Sequence, residues 1–255
     1  MYSRAMSNSW VVFPKPNAGA KLRLFCFPYA GGGALIYRPW GAALSPHVEV
    51  CAIQLPGRGG RMSEEPLVKL SQVVEAVAQA LQPYFDKPFA FFGHSMGALI
   101  SFELARQLAR EGKRAPQHLF VSGHRAPHLP ETEPPFYNLP DAELINELRR
   151  LNGTPQEVLD NPELMQLMLP LMRADFSVCQ TYTYVAAPPL TCPLTAYGGT
   201  GDTAVEREHL EAWREHTTSA FTLRMFSGDH FFLHTSQPSL LRALAQQLEP
   251  LASAT

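Results

Sequence analysis

A serine with glycine two residues to either side, Gly93-His94-Ser95-Met96-Gly97, stands between a short apolar run at residues 89–92 and a long helix-like run at residues 98–110. On such a strand-to-helix turn the serine is forced into a strained backbone conformation that lifts its hydroxyl clear of a sheet. Side chains in place of the flanking glycines would collide with the neighbouring strand or helix. The pattern is that of a nucleophile elbow. A serine hydroxyl becomes a nucleophile only beside a base, and a neutral imidazole needs an acid to fix its tautomer and to stabilise the imidazolium that forms. In chains built on this turn the order is serine, then acid, then histidine.

Of the nine histidines, His209, His216, His230 and His234 come late enough to follow a downstream acid. His209 and His216 fall in a charged helix-like run that starts Glu206-Arg207-Glu208, which predicts exposed positions for both. His230 follows the apolar run 221–226 in Ser227-Gly228-Asp229-His230-Phe231-Phe232, where a loop at the end of a strand can reach the elbow, and is the expected base. Asp202 follows the run 194–197 through a flexible turn, Gly198-Gly199-Thr200-Gly201, and is the expected acid. Its rivals are Asp229, next to the histidine in sequence and so tending to point away from it, and Asp175, inside a helix-like segment. His230 and His234 form an i, i+4 pair, but no glutamate completes a His-Glu-x-x-His motif, so no metal is expected.

Acyl chemistry also needs two N–H groups aimed at the oxygen on which charge develops. One is expected from Met96, directly after the serine. The other is expected from Ala30 in Phe27-Pro28-Tyr29-Ala30-Gly31-Gly32-Gly33, where three glycines would let the backbone pass close to an acyl group. No P-loop lysine or Gly-x-Gly-x-x-G spacing makes that tract a phosphate cradle.

The elements that must hold these residues are legible as alternation. Strand-like runs at residues 10–13, 22–27, 48–53, 89–92, 119–122, 194–197 and 221–226 are separated by helix-like runs at 35–44, 70–85, 98–110, 206–216 and 239–251. Continuous apolar strands alternating with helices predict an α/β fold with a mostly parallel sheet covered on both faces. With 255 residues, 45% of them hydrophobic, the chain reads as a single domain spanning 1–255. One stretch breaks the alternation. Two proline clusters bracket helix-like segments at 141–151, 155–160 and 163–179, so residues 127–193 are expected to leave the sheet as a helical lid over the strand ends. A fixed extra layer is the alternative. The leucine- and methionine-rich stripe from Leu164 to Met172 fits either an adaptable acyl surface or plain core packing.

A net charge of −2 gives no field that would gather nucleic acid or an anionic membrane. The polar stretch 1–8 lacks a signal sequence, and no run is apolar enough to span a bilayer, so a cytoplasmic protein is expected. Cys26, Cys51, Cys179 and Cys192 form no Cys-x-x-Cys pair and read as reduced filler.

Five segments together resemble a known family: Phe27-Pro28-Tyr29-Ala30-Gly31-Gly32, Gln54-Leu55-Pro56-Gly57-Arg58-Gly59, Gly93-His94-Ser95-Met96-Gly97, Leu171-Met172-Arg173-Ala174-Asp175-Phe176 and His230-Phe231-Phe232-Leu233. The chain resembles the stand-alone type II thioesterases of nonribosomal peptide and polyketide synthesis. The resemblance implies an α/β-hydrolase fold with a helical lid, and a serine thioesterase that removes acyl groups from the phosphopantetheine arm of carrier proteins. It implies Ser95 as nucleophile, Asp202 as acid, His230 as base, and Ala30 and Met96 as oxyanion donors. No cofactor is implied, since phosphopantetheine belongs to the substrate, and the enzyme is expected to act in trans as a monomer. The passage Gly123-His124-Arg125-Ala126-Pro127-His128 resembles members that serve siderophore pathways. Asp229 and Thr203 depart from the family, which commonly has glycine before the histidine and proline after the acid; the first keeps Asp229 as the alternative orienter. A small-molecule esterase or lipase, an acyltransferase, and a non-catalytic carrier-binding module are the competing expectations.

Overall fold

The computed structural model describes residues 9–44, 46–131 and 133–253; the stretch 1–8 read above lies outside them. Every apolar run of strand length becomes a strand of one sheet: β1 (Val11–Val12), β2 (Leu22–Phe27), β3 (Val48–Ile53), β4 (Phe89–His94), β5 (Leu119–Ser122), β6 (Leu194–Gly199) and β7 (Phe221–Phe226). The helices are α1 (Trp40–Ala43), α2 (Leu70–Leu81), α3 (Met96–Arg110), α4 (Asp141–Leu151), α5 (Gln156–Leu159), α6 (Pro162–Gln180), α7 (Arg207–Glu211), α8 (Phe232–Thr235) and α9 (Gln237–Ser253). The sheet order is β1-β3-β2-β4-β5-β6-β7, parallel except for β1, which runs antiparallel to β3.

The central strands read as unbroken apolar blocks because each face has its own core. Phe25, Phe27, Phe89 and Phe91 pack with α2 and α3 on one side. Leu24, Cys26, Ala90 and Phe92 pack with Trp40 of α1 and the leucines of α9 on the other. Each large side chain fully buried in this way stabilises the fold by roughly 1.5–3 kcal/mol. The expected helix at 35–44 breaks at Pro39, which lacks an N–H, into a 3₁₀ turn (Ala34–Tyr37) and α1. The expected helix at 70–85 likewise ends at Leu81 and continues as a 3₁₀ turn holding Pro83.

Between β5 and β6 the chain leaves the sheet and forms α4, α5 and α6 around a small core of Leu144, Leu148, Leu159, Met165, Leu169 and Met172. Asn152 in the left-handed region stops α4, and the Asn161 side chain caps α6 by accepting from the Glu163 and Leu164 N–H groups. The stripe on α6 is divided: Leu164 and Leu167 are exposed, while Met165, Leu169 and Met172 are buried. Most of its buried part is therefore packing within the helical layer.

One expectation fails outright. His216 is buried, because the run that begins as α7 continues in a 3₁₀ turn (Ala212–His216) that rolls Trp213 and His216 inward against Phe102. Burial, helped by nearby His128 and Arg106, pushes its pKa down to about 4. His118 behaves the same way. Its Nε2 lies 2.8 Å from Thr195 Oγ1, its ring stacks on Phe120, and burial lowers its pKa to about 4. A histidine whose folded pKa lies below its unfolded value of 6.5 stays neutral in the fold while the unfolded chain takes up a proton. The stability it supports is complete above about pH 6.5 and is lost as pH falls toward about 4. In His118→Gln the slope of stability against pH in that window should fall by up to about 1.4 kcal/mol per pH unit. Denaturant titrations at stepped pH measure it; an unchanged slope would exclude His118 as a contributor.

Candidate active site

Ser95 joins β4 to α3 with φ 52 and ψ −119, the only non-glycine residue besides Asn152 at positive φ among the described residues. Its N–H donates to the Ser122 carbonyl on β5 at 2.7 Å, which pins the turn to the neighbouring strand. A Cβ on Gly93 would stand 2.0 Å from the Gly97 carbonyl oxygen, and one on Gly97 would stand 2.1 Å from that of Phe27. Both glycines are therefore forced by backbone contact, and the strained serine is the result. Ser95 faces a cavity of about 470 Å³ whose walls include Tyr29, Ala30, His230 and Phe231 from the sheet loops and Met172, Phe176 and Tyr182 from the excursion.

Parallel pairing of β6 with β7 sets the loops that follow them side by side. His230 Nδ1 lies 2.8 Å from Asp202 Oδ2. The other carboxylate oxygen, Oδ1, accepts from the N–H groups of Ala204 at 2.9 Å and Val205 at 3.1 Å, so the Asp202 side chain is fixed from both ends and is 1% exposed. Only the second half of the glycine tract before Asp202, Thr200 and Gly201, is a turn. Gly198 and Gly199 belong to β6, and a Cβ on Gly199 would meet the Asp229 carbonyl at 2.3 Å. Glycine is needed there so that the acid's loop can lie against the histidine's loop. The Gly201 N–H seals the contact by donating to the Gly228 carbonyl at 2.8 Å.

The rivals for the acid position are engaged elsewhere. Asp229 Oδ1 accepts from the Phe231 N–H at 2.8 Å and shapes its own turn. Asp175 pairs with Arg58 and accepts from the Gly31 N–H. His234 Nε2 lies 2.9 Å from the Tyr29 hydroxyl, and His230 is held by Asp202, so the i, i+4 pair is divided between different partners.

Of the two expected oxyanion donors, Met96 opens α3 and Ala30 lies on the cavity wall. Each of the three glycines after Ala30 is also constrained by the protein around it. Gly31 has φ 76 and its N–H is taken by Asp175. A Cβ on Gly32 would meet Ile36 at 2.5 Å, and one on Gly33 would meet Gln54 at 3.3 Å.

Sequence reasoning missed His94. Its buried ring has Nδ1 2.9 Å from Ser122 Oγ and lies 5.2 Å from the His230 ring, and burial holds its pKa well below the usual value. It is a neutral ring beside the half-buried imidazole of His230. Its place next to the serine in the pentapeptide was the available signal.

The sheet order, the strained serine and the two adjoining loops that bring an aspartate to a histidine define an α/β-hydrolase. The chain belongs to the thioesterase domain family, which matches residues 22–248. It is similar to the gramicidin S biosynthesis protein GrsT of Aneurinibacillus migulanus, at 51% identity over 241 residues, covering 94% of each chain. Among solved structures it resembles the type II thioesterase BorB from the borrelidin biosynthetic cluster, with 38% identity and a TM-score of 0.86 over 94% of this chain and 98% of that one. It also resembles YbtT, the type II thioesterase of the yersiniabactin pathway, with 32% identity and a TM-score of 0.85 over 95% and 99% of the two chains.

Proposed function

We propose that this thioesterase hydrolyses acyl groups from the phosphopantetheine arm of carrier proteins, acting in trans to clear stalled or misprimed nonribosomal peptide and polyketide synthetases. The observation that carries the reading is that His230, held by Asp202, lines the same cavity as Ser95, with walls that the helical excursion completes. Ser95 gives its proton to His230 Nε2 as its oxygen attacks the thioester carbonyl, and the oxyanion is received by the Ala30 and Met96 N–H groups. Collapse breaks the carbon–sulfur bond, and the imidazolium returns the proton to the departing pantetheine thiolate. Water then loses a proton to His230, attacks the acyl-serine, and releases the free acid with the proton passing back to Ser95. Asp202 keeps the proton on Nδ1 throughout.

The enzyme of this reading is a cytoplasmic monomer that needs no metal or organic cofactor. No helix among the described residues is long and apolar enough to cross a membrane. Residues 127–193 act in it as the lid that shapes the acyl cavity. The competing reading is an esterase for small molecules, which would use the same triad. Hydrolysis of an acyl-carrier thioester and of a simple oxygen ester of the same acyl group separates them: kcat/KM should favour the carrier by roughly tenfold or more, because binding of the carrier and its arm contributes to the transition state. Equal values for the two substrates would sink the carrier assignment.

A further inference from the structure

Two of the five family-like segments carry neither a triad residue nor an expected oxyanion donor, and their charged residues meet inside the protein. Arg58 and Asp175 are 117 residues apart in sequence, and their side chains are 6% and 2% exposed. Asp175 Oδ1 accepts from Arg58 Nη2 at 2.7 Å, while Oδ2 accepts from Arg58 Nη1 at 2.8 Å and from the Gly31 N–H at 2.7 Å. The guanidinium also donates to the carbonyls of Gly32 at 2.9 Å and Pro56 at 3.2 Å. Taking two charges out of water is costly unless the remaining lone pairs and protons are satisfied, and here the surplus bonds all go to backbone. Two of those bonds end on the loop that carries Ala30.

We infer that Asp175, clamped by Arg58, is the positioning residue of the oxyanion loop: it holds the backbone at Gly31 and Gly32 so that the Ala30 N–H stays on the cavity wall. The inference rests on the proposed role of Ala30 as a donor. The loop needs such a hold, because a tract of three glycines is the least restrained backbone a chain can offer and Gly31 sits at φ 76. A Cβ on Gly31 would lie 2.6 Å from Met172 Sδ, so α6 presses on the same peptide with which its aspartate bonds. Neither Arg58 nor Asp175 lines the cavity that Ser95 faces, so both act through the backbone rather than on substrate.

An oxyanion donor displaced from its aim affects the transition state and spares the ground state. Asp175→Asn should lower kcat on an acyl-carrier thioester by about 10- to 100-fold with KM within about threefold. Affinity for a trifluoromethyl ketone, which forms a tetrahedral oxyanion on Ser95, should fall in parallel. Arg58→Lys keeps the charge but loses the fork, and should fall between wild type and Asp175→Asn. Because Asp175→Asn leaves a buried arginine unpaired, the double variant Arg58→Met/Asp175→Leu is measured beside it. Apolar replacement of a buried pair is commonly neutral or stabilising, so this variant should keep the wild-type melting temperature yet remain slow. Wild-type kcat in the folded double variant, or a slow Asp175→Asn enzyme with undiminished ketone affinity, would overturn the inference. Wild-type protein that neither binds the ketone nor hydrolyses the carrier thioester would instead reject the proposed function.

Discussion

Ser95→Ala should lower kcat by about 10⁶-fold and abolish covalent labelling by a serine-directed phosphonate. The fold should be unaffected, since alanine keeps the Cβ at φ 52 and the pinning bond to Ser122 is made by the backbone N–H. Residual hydrolysis above the uncatalysed rate would come from the oxyanion donors and binding alone. Mass spectrometry after labelling reads the result, and an adduct that persists in the alanine variant would mean that another side chain is the nucleophile.

Asp202→Asn should lower turnover by roughly three to four orders of magnitude, and the hydrogen bonds give the reason. The turn N–H groups of Ala204 and Val205 demand an acceptor at Oδ1, so an asparagine must place its carbonyl oxygen there and present its NH₂ to His230 Nδ1. The imidazole then carries its proton on Nε2, the nitrogen that must be free to take the proton of Ser95. Asp229→Asn should cost far less, because an amide oxygen can still accept from the Phe231 N–H. If the two effects came out in the reverse order, Asp202 would have to be given up as the acid.

The parts of the site that local chemistry dictates could be read from the sequence. Gly93, Ser95 and Gly97 announce the elbow because the backbone clash that requires them lies within one turn or on the adjoining strand. Asp202 and His230 could be paired before any coordinates because each closely follows its own apolar strand and those strands lie side by side. What stayed hidden depends on distant partners. Nothing near Gly31 and Gly33 in the sequence indicates that Asp175 and Gln54 lie against them. His216 was misread because Glu206-Arg207-Glu208 marks the helix as exposed, whereas the inward roll begins after that helix has ended. The helix ends were blurred by Pro39 and Pro83, whose breaks leave 3₁₀ turns that share the apolar pattern of the helices before or after them.

The buried pair between Arg58 and Asp175 limits how this enzyme can be rebuilt from parts. Its excursion looks like a cassette, inserted between β5 and β6 with its own small core, and grafting a relative's cassette is the obvious way to change acyl preference. The cassette, however, carries the aspartate while the sheet scaffold carries the arginine. A graft lacking the acid would strand a guanidinium in the interior, and a scaffold lacking the arginine would strand the carboxylate. Working chimeras should therefore come from donors that bring a matching acid at position 175, or from cassettes and scaffolds exchanged together with both charges replaced.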